Sequence, residues 1–161
     1  LGQIELNFPF KPGSHAGQPG DGPNGYGKTA VVGSLYPFGY GLSYTTFEYS
    51  DLQVIRKSPC HFEVAFKVKN TGSYDGEEVA QLYLRDEYAS VVQPLRQLKC
   101  FERFFLKRGE EKEIFFTLTE KDLSIIDRNM TRVVETGGFR IMIGASSDDI
   151  RLTKDISVES L

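Results

Sequence analysis

After Phe47 the chain alternates apolar and polar residues with a period of two, the pattern of strands that keep one face on a core. Phe62, Val64, Phe66 and Val68 alternate with Glu63, Ala65, Lys67 and Lys69. Ile114, Phe116 and Leu118 repeat the pattern, as do Phe139, Ile141 and Ile143. Phe47, Tyr49, Leu52 and Val54 predict an earlier strand whose parity slips near Ser50-Asp51. Glu78 to Asp86 predicts a strand with Ala80, Leu82 and Leu84 on one face and Val79, Gln81 and Tyr83 on the other. Leu98 to Leu106 is strand-like but breaks alternation, and a bulge near Cys100-Phe101 would restore it. Leu152 to Val158 predicts a last strand, and short extended pieces flank Arg128-Asn129. Thr119 is a good N-cap for one helical turn.

Turn chemistry separates these segments at Lys57-Ser58-Pro59, Asn70-Thr71-Gly72-Ser73, Lys107-Arg108-Gly109-Glu110 and Thr136-Gly137-Gly138. About seven to nine strands, turning every eight to twelve residues with almost no helix, predict an all-β antiparallel sandwich from residue 47 onward.

Residues 1–41 are different. They hold ten of the sixteen glycines and five of the seven prolines, and such a stretch cannot bury a core alone. Ile4 to Phe10 alternates and reads as extended, while Lys11 to Lys28 is a long loop, a kind that is usually functional or disordered. Tyr36 to Phe47 then places five rings within twelve residues. A free linker would carry Ser, Gly and charge instead. This segment reads as a strap that ends one folded unit and docks on the next. The expected division is an irregular Gly/Pro-rich N-terminal extension over 1–41 and the sandwich over 42–161.

Composition adds limits. A net charge of −3 argues against nucleic acid or an anionic membrane surface as partner. No apolar run is long enough to span a bilayer, and the N-terminus shows no signal-peptide pattern. The chain opens at Leu1 without Met, which reads as a cut from something longer or as processing. Cys60, expected at the start of a strand, and Cys100, expected inside one, read first as buried free thiols, with a disulfide as the alternative.

Catalytic chemistry finds little support. A retaining glycosidase needs two carboxyl groups facing each other across a sugar. The acids here sit in turns or on polar strand faces, and no pair stands out. His15, Cys60, His61 and Cys100 lack metal-ligand spacing. Adjacent Cys60 and His61 point to opposite faces of a strand, which defeats a dyad. Gly22 to Thr29 matches the letters of a phosphate-binding loop, but Pro23 interrupts it and no helix follows. No catalytic residue, metal or cofactor is therefore assigned. Tyr26, Tyr74, Tyr83 and Tyr88 are candidate stacking platforms. Tyr83 is expected to pack mid-strand, which leaves the loop residues Tyr26 and Tyr88 as candidates for contact with a sugar or partner.

In combination these segments resemble a known family. Tyr36-Pro37-Phe38-Gly39-Tyr40-Gly41-Leu42-Ser43-Tyr44-Thr45-Thr46-Phe47 resembles the segment of glycoside hydrolase family 3 enzymes that leaves their α/β domain and enters a C-terminal fibronectin type III-like domain. Val68-Lys69-Asn70-Thr71-Gly72 and Asp75 to Asp86 resemble that domain's second and third strands. Pro94 to Phe101, Leu106 to Glu110, Val133 to Phe139 and Ile143 to Leu152 resemble its middle and end. Residues 1–35 resemble the tail of the α/β domain, with Asn7-Phe8-Pro9-Phe10 the most specific piece. Cys100 departs from a usual Gly, and Arg132 from a common aromatic.

The resemblance implies an immunoglobulin/fibronectin type III-like sandwich that braces the catalytic domains of a retaining β-glucosidase or β-xylosidase. The catalytic residues would lie upstream, so this chain alone should be inactive. Phe8, Phe10, Tyr36, Phe38, Tyr40 and Tyr44 are expected to pack between domains. Implied partners are the upstream barrel and α/β domains, the parent's oligosaccharide substrate and a homodimer of the parent, in the periplasm or outside the cell. A carbohydrate-binding module and a non-binding spacer or adhesion domain are the alternatives.

Overall fold

The computed structural model describes residues 36–159. Nine strands and one helical turn follow one another as β1 (Phe47–Ser58), β2 (His61–Asn70), β3 (Gly76–Asp86), β4 (Gln97–Leu106), β5 (Glu111–Leu118), α1 (Glu120–Leu123), β6 (Ile125–Ile126), β7 (Arg132–Val133), β8 (Gly137–Gly144) and β9 (Ile150–Val158). They form a three-stranded sheet β1-β2-β5, a four-stranded sheet β4-β3-β8-β9 and a small β6-β7 ribbon, with every pairing antiparallel.

The core lies between the two larger sheets. Val64, Phe66 and Val68 of β2 and Ile114 and Leu118 of β5 meet Leu82 of β3 and Ile141 and Ile143 of β8, all buried. Tyr49 and Phe66 stack with ring centroids 6.0 Å apart. Period-two patterning thus becomes two apolar faces pressed together, the main source of the fold's stability.

The Ser50-Asp51 irregularity is present. Pairing of β1 with β2 shifts between Ser50 and Gln53, and Asp51 takes φ 55°. The β4 bulge is also present, one residue earlier than expected. Leu82 pairs with Cys100 and Tyr83 with Leu98, so Lys99 is the extra residue. The helical turn forms at Thr119, whose N–H and hydroxyl both donate to the Asp122 carboxylate, at 2.8 and 2.7 Å.

Cys60 lies in the turn before β2 rather than at the strand's start. It is buried, whereas Cys100 is only half-buried because it packs against the core from the edge strand β4; both thiols are free. The two-faced reading of β3 understates its burial. Ala80, Leu82 and Leu84 face the core, yet Gln81 and Tyr83 on the opposite face are also covered.

Candidate functional site

What covers the outer face of β3 is the strap. Residues 36–46 have no strand of their own before β1. Tyr40 N–H donates to Pro37 O at 3.0 Å, closing a turn in which Gly39 takes φ +77°. A side chain there would be strained, and its Cβ would overlap Gln81 Oε1. The turn therefore lies flat on β3.

Polar groups hold it there. Gln81 Nε2 donates to Gly39 O at 2.9 Å and to Ala145 O at 2.6 Å. Tyr83 Oη donates to Gln81 Oε1 at 2.5 Å, and Ser147 N–H donates to Phe38 O at 2.9 Å. Burial pushes the Tyr83 hydroxyl up to about 12, Arg96 opposing and Asp148 adding to the shift. Gln81 thus spends both amide hydrogens and its oxygen on one junction between the strap, β3 and the 145–149 loop.

Farther along, Thr45 Oγ1 donates to Asn70 Oδ1 at 2.7 Å, and Thr71 N–H donates to Thr46 O at 2.9 Å. Asn70 is fully buried. Its amide donates to Tyr74 O and Leu106 O at 2.8 and 3.1 Å, and its oxygen also accepts Gly72 N–H at 3.1 Å. One side chain so ties the strap to the ends of β2 and β4 and the start of the loop into β3.

The strap's large apolar side chains stay largely open to solvent. Tyr36, Phe38, Tyr40, Leu42 and Tyr44 are all exposed, Tyr44 at 97%. Tyr36 and Tyr40 rings lie 5.3 Å apart, tilted by 36°. Phe38, Tyr40 and Leu42 line a groove of about 860 Å³ with Val79, Leu98 and Phe101.

The groove's end carries charge. Arg151 Nε and Nη2 donate to the two Asp149 oxygens at 3.1 and 2.8 Å, and its guanidinium lies 4.9 Å from the Tyr49 ring centroid. Arg151 Nη1 also donates to Phe47 O at 2.5 Å. The Arg151 hydrogen bonds hold the Asp149 carboxyl below the usual range, whereas burial raises that of Glu78. Burial also drives the Tyr49 hydroxyl far upward. Both Asp149 oxygens are occupied by Arg151, and Glu78 Oε1 accepts Val79 N–H at 2.9 Å. These acids act as structural ties.

Tyr88 is 86% exposed on the loop after β3, beside Ser90, Glu135 and Thr136, and Tyr74 is also exposed. Phe8, Phe10 and Tyr26 lie outside the described residues. Gln81, Asn70, Asp149 and Arg151 were not singled out from the sequence for this site. The one available signal was Gln81, a polar residue inside the apolar run Val79-Ala80-Gln81-Leu82-Tyr83-Leu84. Among the described residues no helix is long and apolar enough to cross a membrane, and no three His, Cys, Asp or Glu side chains converge as a metal site.

The sandwich and its strap define a class: residues 78–147 match the fibronectin type III-like domain. The chain is 43% identical over 139 residues to thermostable β-glucosidase B of Acetivibrio thermocellus, covering 84% of this chain and 18% of that protein. It is 40% identical over 124 residues to the periplasmic β-glucosidase of Salmonella typhimurium, covering 74% of this chain and 16% of that one. The structure superposes on β-glucosidase 3B of Thermotoga neapolitana, solved with α-D-glucose, with a TM-score of 0.74 at 38% identity, over 78% of this chain and 18% of that one. The chain belongs to the fibronectin type III-like region of glycoside hydrolase family 3 enzymes, and it spans under a fifth of the length of these relatives.

Proposed function

We propose that this domain braces the catalytic domains of a family 3 β-glycosidase and is inactive alone. The observation that carries this reading is the strap, whose backbone is pinned to β3 through Gln81 while its aromatic side chains keep 44–97% of their surface exposed. Exposed rings on a rigid backbone are suited to packing against another folded unit. In this reading residues 1–41 belong to the preceding domain's tail and the junction. Tyr36, Phe38, Tyr40 and Tyr44, with Phe8 and Phe10, form the contact. The whole enzyme would release terminal β-linked sugars in the periplasm or outside the cell. Support for that comes from the relatives' names, one of which is periplasmic.

Two measurements test the proposal. The purified chain, incubated with an aryl β-glucoside, should show no turnover, and activity that survives purification to homogeneity overturns it. In the full-length polypeptide, replacing Tyr40 and Tyr44 by Ser should lower thermal stability more than in the chain alone; equal effects in the two contexts refute the bracing role.

A further inference from the structure

The strap roofs only half of the face it crosses. On β3 the outward residues Gln81 and Tyr83 are buried beneath it. In the neighbouring edge strand β4, Phe101 pairs with Gln81 and Phe105 with Glu77, so both rings share that outer face. Yet Phe101 is 67% exposed and Phe105 54%. Four residues apart on one strand, they project about 13 Å from each other. Arg103 between them forms an ion pair with Glu77, so the intervening charge is already matched. Phe101 lines the same groove as Phe38, Tyr40 and Leu42, which makes its ring continuous with the strap's apolar surface, and Phe105 extends that outer face along β4.

A second exposed ring provides a contrast. Phe115 of β5, 65% exposed, lies on the outer face of the other sheet beside Ala65. Ion pairs Lys67–Asp51 and Lys57–Glu63, each 2.9 Å, flank it, and it does not line the strap's groove. Exposure alone therefore does not mark a contact; continuity with the strap does.

We propose that Phe101 and Phe105 form a second contact ridge, on which the preceding domain of the same polypeptide sits across the outer face of β4. This rests on the bracing role above. The occupant follows from where the chain leads. The strap enters over this face, and most of each relative's length lies outside the matched region.

Hydroxyl-radical footprinting of the native rings, read by mass spectrometry, tests this in residues 1–161 alone and in the full-length gene product. Phe101 and Phe105 should oxidise at least about fivefold more slowly in the longer protein, as expected for stably covered groups, while Phe115 oxidises equally in both. Protection of Tyr40 without protection of Phe101 and Phe105 overturns the ridge and leaves the strap contact standing. Equal oxidation of all four rings in both proteins overturns both. Protection of Phe115 to the same degree refutes the choice of face, and a sugar ligand that protects the two rings in the isolated chain replaces the domain with carbohydrate as occupant.

Discussion

Replacing Asn70 offers the most direct test of how the strap is tied to the sandwich. Its amide and oxygen make four hydrogen bonds, to Thr45, Gly72, Tyr74 and Leu106, and the side chain is inaccessible to solvent. A typical bond contributes about 1 kcal/mol net, and a buried group left unpaired costs about 1–3 kcal/mol. Only the Leu106 carbonyl contact is wholly buried; water can reach the other three sites. Asn70→Ala should therefore cost about 3 kcal/mol out of a total of about 5–15 kcal/mol. For a domain of this size the melting temperature should fall by about 10 °C. Asn70→Asp sharpens the test, because it keeps the shape and the acceptors but loses both donors toward Tyr74 O and Leu106 O. Burial against two carbonyls raises the folded pKa of the new carboxyl above its unfolded value of about 3.9. Its penalty is then smallest below that value, where the protonated acid can still donate once, and grows as pH rises through the folded pKa. Urea titrations followed by circular dichroism at about pH 4 and pH 7 should show the Asp variant losing at least about 1 kcal/mol more, relative to the unmodified chain, at the higher pH. An Ala variant within about 1 kcal/mol of the unmodified chain, or an Asp variant without pH dependence, would refute the hub.

Gly39→Ala combines a left-handed φ with overlap on Gln81. It should cost about 2–3 kcal/mol and speed amide exchange at Ser147, whose N–H bonds Phe38 O; unchanged exchange there would count against the clamp. Glu78→Gln should gain stability relative to the unmodified chain as pH rises from about 4 to about 7, because burial raises the Glu78 pKa and a raised acid weakens the fold as it ionises; parallel stability curves would show that Glu78 is not desolvated as described. Tyr88 stands free on its loop. Affinity electrophoresis in a soluble β-glucan should show no retardation, and retardation abolished by Tyr88→Ala would favour a carbohydrate-binding module.

Much of the fold is local in origin. Val64, Phe66 and Val68 face one core because strand geometry sends alternate side chains to one side. Asp51 and Lys99 sit where the parity of apolar residues slips, so both irregularities could be located from the pattern, the second to within one residue. Thr119 opens a helical turn because its neighbour Asp122 can reach back to it. The family resemblance likewise rested on contiguous motifs.

The candidate surface is different, since its parts are far apart in the chain. Gln81 reads as a misplaced polar residue until Gly39, 42 positions earlier, presents a carbonyl to it. Asn70 looks like ordinary turn chemistry until Thr45 and Leu106 converge on its side chain. Phe101 and Phe115 have the same residue type and nearly the same exposure, yet only Phe101 adjoins the strap. The sequence by itself determined which residues form strands, where they bend and which face turns inward, because those properties depend on near neighbours and a two-residue period. The tertiary structure alone decided what meets the outward faces, because burial there depends on which distant backbone the chain brings across.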